Sequence, residues 1–437
     1  DYALGFGLTK NTPVPEPTIT HGAKMLAGPY MTFHLSDRTT LRFGAVYRRT
    51  EGGFYNEGLK EPGTYVRSRW ESTGNDVLGE GQATIRLGTS HTITAGVDGL
   101  WNSIDFGATV DDVTDEPLMG SAAVNTSIEN VGVFVQDEIR LAGILTILPG
   151  ARLDYHSGFG AVLSPKLGVS CRLPGGLTLR SSAGTGFRAP ALSELSMPDI
   201  VVNPDYKIRS NPDLKPEYLR SVDLGVGYES NDRVWASVSG FYNSMRDLIT
   251  PDLEDFETLM DGYISHGNTS RAWSSGVEAE CSYALTAWMR VRGGYSYIRS
   301  QDDEVAGNPR YAGRYIGLDY IPLHKGNLEL LPRFRIGRAQ FEGSLSGVYS
   351  SSRGYLNFDG IDANDTNYVR VYHPIVEVTP PYIRLPSYVR GDVSLKTRID
   401  RYWIGLSVEN ITDAWIEESG GTLAPGRMIW VRGGISL

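Results

Sequence analysis

The sequence contains little cysteine and no long apolar run. Its 437 residues include two cysteines, Cys171 and Cys281. Each occupies the apolar side of an alternating run, and the two lie far apart in the chain. We therefore interpret both as small hydrophobic side chains and not as a disulfide or metal pair. No apolar run reaches the roughly 18 residues that a transmembrane helix needs, so no such helix is expected.

Features that would indicate nucleic-acid binding or catalysis are also missing. The 51 acidic residues outnumber the 41 basic ones, which gives a net charge of −10. This balance argues against a nucleic-acid binder with a broad basic face. No two of the seven histidines have metal-ligand spacing. There is no GxSxG motif and no Ser/His/Asp set stands out, so the sequence predicts that the protein is not an enzyme.

Glycine and tyrosine are abundant, and apolar residues alternate with polar or small ones. The chain has 51 glycines and 24 tyrosines, a composition that is typical of all-β proteins. The alternation has a period of two, which indicates half-buried strands, and no helical segment interrupts it. The clearest stretches are 131–136, 222–228, 402–409 and 429–437.

The connections between these runs alternate between short and long. Tight turns on one side, long loops on the other and one apolar face are typical of a membrane barrel, and closure removes the strand edges that lipid does not tolerate. We therefore predict an all-β fold, a transmembrane antiparallel up-and-down β-barrel, with a soluble sandwich as the alternative. The short connections are 36–38, 88–90, 142–143, 173–176, 229–232, 286–287 and 399–401. The long ones are 51–64, 107–121, 188–215, 250–260, 302–312, 353–382 and 414–426.

The pattern predicts 18 strands, several of them longer than the roughly 9–11 residues that cross a bilayer, so they should project beyond its outer surface. Tyrosines on the apolar side near strand ends suit aromatic girdles at the membrane interfaces. These are Tyr155, Tyr228, Tyr283 and Tyr402. The predicted strands are 2–10, 24–35, 38–50, 65–87, 91–106, 122–141, 144–156, 160–172, 177–187, 216–228, 233–249, 261–285, 288–301, 313–330, 334–352, 383–398, 402–413 and 427–437.

Seven motifs, in order over residues 131–437, resemble those of the TonB-dependent outer-membrane receptors. Each is short, but their common order makes the resemblance specific, while residues 1–130 match only loosely. The motifs are VFVQDEIRL (133–141), PGARLDY (149–155), FRAPALSEL (187–195) with NPDLKPE (211–217), YISHGNTSRAWSSGVEAE (263–280), IPLHKGNLEL (321–330), SVENITDAW (407–415) and APGRMIWVRGGISL (424–437).

The resemblance implies a 22-stranded barrel around a folded N-terminal plug. We count nine strands through FRAPALSEL and nine after NPDLKPE, so about four of the implied strands are not seen in the pattern. Residues 1–437 are expected to form the barrel, with 1–10 as a candidate end of the plug–barrel junction. Neither a plug nor a TonB box occurs in this sequence, which opens abruptly at DYALGFGLTK without a signal peptide and therefore looks processed or trimmed. The last residue is Leu437, where such strands usually end in an aromatic residue.

Basic and aromatic residues share the predicted outer loops. Arginine clamps and tyrosine faces suit an anionic ferric siderophore or another chelate, and they equally suit lipopolysaccharide phosphates at the outer leaflet. The candidate substrate-binding residues are Arg48, Arg49, Phe54, Tyr55, Arg188, Arg310, Tyr311, Arg314, Tyr315, Tyr349, Arg353 and Tyr355.

Polar residues on the opposite side of the strands are expected to line the lumen, where the resemblance implies that they hold the plug. The alternative is a merely hydrated wall. These residues are Arg152, Asp154, Asp223, Arg390, Asp392 and Glu409. Acidic loop clusters are candidate calcium ligands, with a solvated acidic loop as the alternative. The calcium candidates are Asp111, Asp112 and Asp115 in one loop and Asp359, Asp362 and Asp365 in another.

The resemblance implies active import across the outer membrane of a Gram-negative bacterium. The expected solute is an iron chelate such as a ferric siderophore, with haem or cobalamin as alternatives. Expected partners are TonB, through the N-terminal segment that is missing here, outer-membrane lipid and lipopolysaccharide, and an accessory outer-membrane protein. No cofactor is expected other than loop-bound calcium, and no nucleic acid. The alternatives are a passive or structural barrel without a plug and a receptor for protein or phage ligands.

Overall fold

The computed structural model describes most of the chain. The described residues are 2–7, 16–61, 64–112, 117–196, 200–203, 206–230, 233–251, 263–303, 317–356, 377–379, 382–419 and 422–435. Nearly all of them lie in strands, with one short helix, α1 (Leu192–Ser196), and a 3₁₀ turn at Pro174–Gly176. Within this part of the chain no helix is long and apolar enough to cross a membrane.

The strands follow one another in the order that the sequence pattern predicts. They are β1 Tyr2–Gly7, β2 Glu16–Ala27, β3 Tyr30–Ser36, β4 Thr39–Glu61, β5 Thr64–Leu87, β6 His91–Asp112, β7 Pro117–Leu141, β8 Leu145–His156, β9 Gly160–Leu173, β10 Leu177–Arg188, β11 Ile200–Asn203, β12 Tyr206–Ile208, β13 Glu217–Ser230, β14 Val234–Pro251, β15 Tyr263–Ile264, β16 His266–Ala284, β17 Met289–Asp302, β18 His324–Ile336, β19 Ala339–Ser350, β20 Arg353–Leu356, β21 Glu377–Thr379, β22 Tyr382–Leu385, β23 Tyr388–Ile399, β24 Tyr402–Glu409, β25 Glu417–Ser419, β26 Thr422–Leu423 and β27 Met428–Ile435.

Nineteen of these strands form one antiparallel sheet in which successive strands of the sheet pair with one another, except β2 and β3. They fill eighteen positions, because β2 and β3 pair with successive parts of the same side of β4. Nine positions run from β1 to β10 and nine from β13 to β27, which confirms the predicted count of eighteen within the described residues. The 22 positions implied by the resemblance are not reached there, and no ladder between described residues joins β1 to β27.

Strand lengths differ around the sheet. The strands β4 to β7 contain 22 to 25 residues each, whereas β8 and β9 contain 12 and 14. The pairing of β4 with β5 continues to Glu61 and that of β6 with β7 to Asp111. The long loops predicted at 51–64 and 107–121 are therefore largely strand, because the pairing continues through polar residues above the apolar part of each strand.

The two faces of the sheet differ in polarity, as the alternation predicts. Val131, Val133 and Val135 are each about half exposed, whereas Gly132 between them is buried and points to the other face. We call the apolar side the outward face and the other side the inward face. The four predicted girdle tyrosines all lie on the outward face, with exposures of 62% for Tyr155, 38% for Tyr228, 47% for Tyr283 and 52% for Tyr402.

One hairpin lies away from its predicted place. The sequence pattern predicts a turn at 331–333, but β18 continues to Ile336 and the chain turns at Gly337, which has a φ of +57°. Pro332 fits within β18 because the ladder to β19 is interrupted at residues 331 and 332. A Cβ on the facing Gly343 would lie 2.9 Å from Pro332 Cγ. The proline ring is thus accommodated by a glycine opposite it, and it does not end the strand.

Candidate functional site

At the outer end of the sheet, side chains link the last residue of β10 to the first residue of β13. Arg188, the last residue of β10, faces Glu217, the first residue of β13. Their side chains form a bidentate pair at 2.7 and 2.8 Å. Arg188 also donates to Glu194 of α1 at 3.2 Å, and the Glu194 carboxylate accepts from the Ala191 N–H at 2.7 Å. One arginine therefore fixes the start of the outer loop to both strands and to the helix.

Glu217 is the first residue of β13, at its outer end, above the apolar residues Val222 to Tyr228 of the outward face. Burial acts to raise the pKa of its carboxyl, but the hydrogen bonds from the Arg188 guanidinium and from the Ile249 backbone N–H outweigh burial, so the pKa is lowered. The Ile249 N–H lies 2.9 Å from Glu217 Oε1. The carboxylate is thus held ionised and joins three neighbouring segments.

The returning NPDLKPE segment is anchored by asparagines that sequence reasoning missed. Asn268 of β16 accepts from the Lys215 N–H at 2.7 Å and donates to the Lys215 carbonyl at 2.8 Å. It also donates to the Asp247 carbonyl at 2.8 Å, where a bulge gives Asp247 a φ of +56°. Asn211 donates to the His266 carbonyl at 2.8 Å. The signal available in the sequence is the pair of motifs NPDLKPE and YISHGNTS, which meet here.

A second outer corner explains two further motifs. Asn410 is 2% exposed and has a φ of +52°. Its side chain donates to the Ala414 carbonyl and accepts from the Ala414 N–H, both at 2.9 Å. Asp413 accepts from the Arg427 N–H at 2.9 Å. The polar residues of SVENITDAW and APGRMIWVRGGISL therefore close the loop between β24 and β27.

The substrate candidates with described side chains divide between the two faces. Arg48 lies on the inward face and contacts Asp76, which also accepts from Asn102. Arg49 lies on the outward face, paired with Glu51 at 2.6 Å. Tyr349 is also on the outward face and is 44% exposed.

Two further substrate candidates lie in the outer loops. Arg188 forms the corner described above. Arg353 stacks over the Tyr388 ring, with its guanidinium carbon 5.5 Å from the ring centre, and donates to the Glu417 carbonyl. Phe54 and Tyr55 lie on β4 and Tyr355 on β20, but their side chains are outside the description. Arg310, Tyr311, Arg314 and Tyr315 lie outside the described residues.

The lumen candidate Arg152 bridges three strands on the inward face. Its guanidinium contacts Asp98 of β6 at 2.5 and 2.8 Å and Asp154 of β8 at 2.7 to 3.0 Å. Gly132 of β7 lies between these carboxylates, paired with Asp98 on one side and Asp154 on the other. A Cβ at Gly132 would lie 2.5 Å from Arg152 Cζ. The arginine therefore crosses β7 only because that position has no side chain.

The other lumen candidates also pair with their neighbours in the wall. Arg390 contacts Asp392 at 3.0 Å and Glu409 at 3.6 Å, and Asp392 accepts from a backbone N–H at 2.8 Å. Asp223 accepts from Ser182. The side chains of Arg152 and Arg390 are still about one third exposed, so each can reach a further acceptor on the inward side.

The calcium candidates lie at the end of β6 or outside the described residues. Asp111 and Asp112 lie at the end of β6 with side chains outside the description, and Asp115, Asp359, Asp362 and Asp365 lie outside the described residues. Within the described part of the chain no group of three His, Cys, Asp or Glu side chains is positioned to hold a metal ion.

Comparison with known families gives a match over most of the chain. The model of the family described as "TonB dependent receptor-like, beta-barrel" matches residues 18–411. This span contains the described strands from β3 to β24, five of the seven motifs in full and residues 407–411 of a sixth. The members of this family are receptors and transporters.

Three curated proteins are similar to parts of the chain. The iron-regulated outer membrane virulence protein of Vibrio cholerae is 29% identical over 247 residues, 55% of this chain and 36% of that protein. The ferric enterobactin receptor of Pseudomonas aeruginosa is 24% identical over 330 residues, 64% of this chain and 43% of that protein. The vitamin B12 transporter of Photobacterium profundum is 24% identical over 187 residues, 40% of this chain and 29% of that protein. The chain thus spans less than half the length of each.

Solved structures agree on the fold. The copper transporter OprC superposes with a TM-score of 0.68 at 16% identity, covering 97% of this chain and 66% of that chain. The siderophore receptor PirA from Pseudomonas aeruginosa gives a TM-score of 0.58 at 15% identity, covering 99% of this chain and 75% of that chain. At these identities the likeness concerns the barrel fold alone.

Proposed function

Because the chain belongs to the TonB-dependent receptors, β-barrels of the outer membrane of Gram-negative bacteria, we propose that it is the barrel of an active importer of a scarce, large solute. The favoured solute is a ferric siderophore or another iron chelate. The observation that carries the proposal is the family match over residues 18–411. The names of relatives from Vibrio cholerae and Pseudomonas aeruginosa support iron.

The proposed mechanism follows from the width of such a barrel. The 22-stranded barrel that the family resemblance implies has a lumen too wide to exclude solutes unless it is filled. A plug domain and its displacement by TonB therefore belong to the proposal. Arg152 and Arg390 are the proposed contacts to the plug, together with Asp223, Asp392 and Glu409 around them, whereas Asp154, whose side chain is 3% exposed, is proposed to hold Arg152 in position. Their partial exposure on the inward side supports this, because a charged group that is only partly satisfied by the wall can accept a second partner.

The proposed chelate contacts are the candidates on the inward face and in the outer loops. Arg48, Arg188 and Arg353 have guanidinium groups there, and anionic chelates are recognised by such groups. The loop residues outside the description, Arg310, Tyr311, Arg314 and Tyr315, remain in the proposed set with Phe54, Tyr55 and Tyr355. Arg49 and Tyr349 face outward, which favours contact with lipid for these two. No catalytic role is proposed, and calcium binding by the acidic loops remains a prediction.

Uptake by whole cells tests this function. A strain in which the gene is deleted should grow normally on free iron and fail to grow when one particular chelate is the sole iron source. The full-length gene should restore growth, and restoration should require TonB. If deletion instead abolishes growth on cobalamin or haem, the importer stands with a different solute. Equal growth of the deleted strain on every chelate, together with a large permanent conductance of the full-length protein in a planar bilayer, would contradict active import.

A further inference from the structure

The outward face of the sheet contains a cavity at the outer end of β9, β10, β13, β14 and β16. Its volume is about 540 Å³, and the residues that line it include Leu163, Thr185, Arg220, Ser244, Arg246 and Arg271. These residues share the outward alternation phase with Leu163, which is 61% exposed. The cavity therefore faces the membrane, on the side of the wall opposite to any solute in the lumen.

Three arginines from three adjacent strands meet at this cavity. Arg220 of β13 lies two residues below Tyr218, on the same face. Tyr218 is directly opposite Arg246 of β14, and Arg246 is directly opposite Arg271 of β16. Arg246 stacks over the Tyr218 ring, 4.5 Å from its centre, and has one carboxylate near it, Asp247 at 3.8 Å. Among the described residues Arg220 and Arg271 have no ion pair or side-chain hydrogen bond. The cavity therefore has a net positive charge.

The depth of the cavity matches the outer membrane interface. The outward apolar band on β13 runs from Tyr228 up to Val222, and Arg220 is the next outward position. At about 3.3 Å per residue and a strand tilt of about 40°, Arg220 lies about 20 Å above Tyr228 along the membrane normal. A charged side chain is costly at the bilayer centre and is tolerated near the interface, so these arginines lie at headgroup depth.

The wall itself is incomplete at the same level. The ladder between β9 and β10 ends at the pair Lys166 and Gly184, although β9 begins at Gly160 and β10 continues to Arg188. Backbone groups along this separation have no partner in the facing strand. At headgroup depth these backbone groups can form hydrogen bonds with polar groups of the surroundings, directly beside the arginines.

We propose that this cavity binds a phosphate of lipid A, the membrane anchor of lipopolysaccharide. A phosphate accepts hydrogen bonds from several guanidinium groups at once, and it can also accept from the open backbone edge. Lipid A is the anionic phosphorylated lipid of the outer leaflet, which is the leaflet at this depth. The acyl chains would then lie on the apolar band below, along Val222 and Leu224, which are 53% and 62% exposed. The site is separate from the proposed import pathway, because it lies on the other face.

Lipid retention by the purified full-length protein tests the proposal. The wild type, a triple variant (Arg220→Ala, Arg246→Ala and Arg271→Ala) and the control variant Arg180→Ala are compared after extensive detergent exchange. Arg180 is an exposed arginine of β10 on the inward face, so the control removes one positive charge from the opposite side of the wall. Bound lipid A is counted by native mass spectrometry, and a heat-dependent shift in gel mobility reports that each barrel is folded.

The wild type and the control should retain lipid A, and the triple variant should bind it at least tenfold more weakly in titrations with hexa-acylated lipid A. If the triple variant does not fold, the single variants Arg220→Gln and Arg271→Gln should each weaken binding severalfold. Dephosphorylated lipid A should bind as weakly to the wild type as lipid A binds to the triple variant. Equal retention by the triple variant, equal binding of dephosphorylated lipid A, or equal binding of phosphatidylglycerol or of inorganic phosphate alone would each overturn the proposal.

Discussion

A methyl group at Gly132 should break the three-strand bridge on the inward face. In the variant Gly132→Ala, the new Cβ would lie 2.5 Å from Arg152 Cζ and 2.9 Å from Asp154 Oδ1. The guanidinium must therefore leave its place above β7. It then loses its contacts to Asp98 at 2.5 and 2.8 Å and leaves the Asp154 carboxylate, whose side chain is 3% exposed, poorly compensated.

The cost follows from the number and the burial of these contacts. A hydrogen bond between charged groups contributes about 1.5–3 kcal/mol, and one third of the Arg152 side chain is exposed, so solvent screening reduces the upper end. Replacing a strand glycine by alanine in itself raises the free energy of unfolding by about 0.5–1 kcal/mol. We expect Gly132→Ala to lower the free energy of unfolding by about 2 kcal/mol relative to a glycine replacement that meets no neighbour.

Urea unfolding in lipid vesicles, followed by tryptophan fluorescence, measures this difference. The matched control is Gly79→Ala on β5, where an added Cβ would meet nothing within 4 Å. In a background that already has Arg152→Ala, the change Gly132→Ala should cost almost nothing, because the two positions act through one contact. Equal unfolding free energies for the Gly132 and Gly79 variants would refute the reasoning.

Three further predictions concern the outer corners and the β18–β19 hairpin. The pKa of Glu217 is lowered from 4.5 in the folded protein, so its pair with Arg188 stabilises the corner fully above pH 4.5. This stabilisation is lost as the pH falls through the folded pKa, and proteolysis of the adjoining loop should rise steeply in that pH range. Asn268→Ala should cost about 1–3 kcal/mol of local stability and raise amide hydrogen exchange in the NPDLKPE segment. Gly343→Leu should drive a side chain into Pro332 and lower the urea midpoint.

Matched variants separate these effects from general damage. The acid response should disappear in Glu217→Gln, and it should persist in Glu409→Gln, which leaves the corner intact. Asn243→Ala removes a hydrogen bond of 3.2 Å to Ser274 within the same pair of strands, and it should leave hydrogen exchange in the NPDLKPE segment unchanged. Gly347→Leu, at a β19 glycine that meets nothing within 4 Å, should keep the wild-type midpoint.

The strand order could be read from the sequence because alternation with a period of two is a local signal. Eighteen predicted strands correspond to eighteen positions in the sheet within the described residues. The turn near Pro332 could not be placed, because the glycine that accommodates the proline lies on the next strand. The height of β4 to β7 was underestimated for a related reason: above the apolar band the alternation fades, although the backbone ladder continues.

The candidate site was less accessible to sequence reasoning than the fold. The type of residue suggested Arg49 and Tyr349, but which face a side chain occupies depends on register, and both point outward. The bridge of Arg152 across Gly132 to Asp98 joins residues up to 54 positions apart, so no local pattern contains it. The three outward arginines were also missed, because Arg220, Arg246 and Arg271 come together only through the pairing of β13, β14 and β16.

The unequal strand lengths give the outer rim of the sheet a low part and a high part. At about 3.3 Å per residue and a tilt of about 40°, β4 to β7 rise to about 55–65 Å, whereas β8 and β9 rise to about 30–35 Å. The connection between β8 and β9 is only Ser157 to Phe159, and the helix α1, which follows β10, lies close to β7 on the far side of these two strands. The segment that Arg188 and Glu194 fix to the sheet therefore reaches across the lowest described part of the rim.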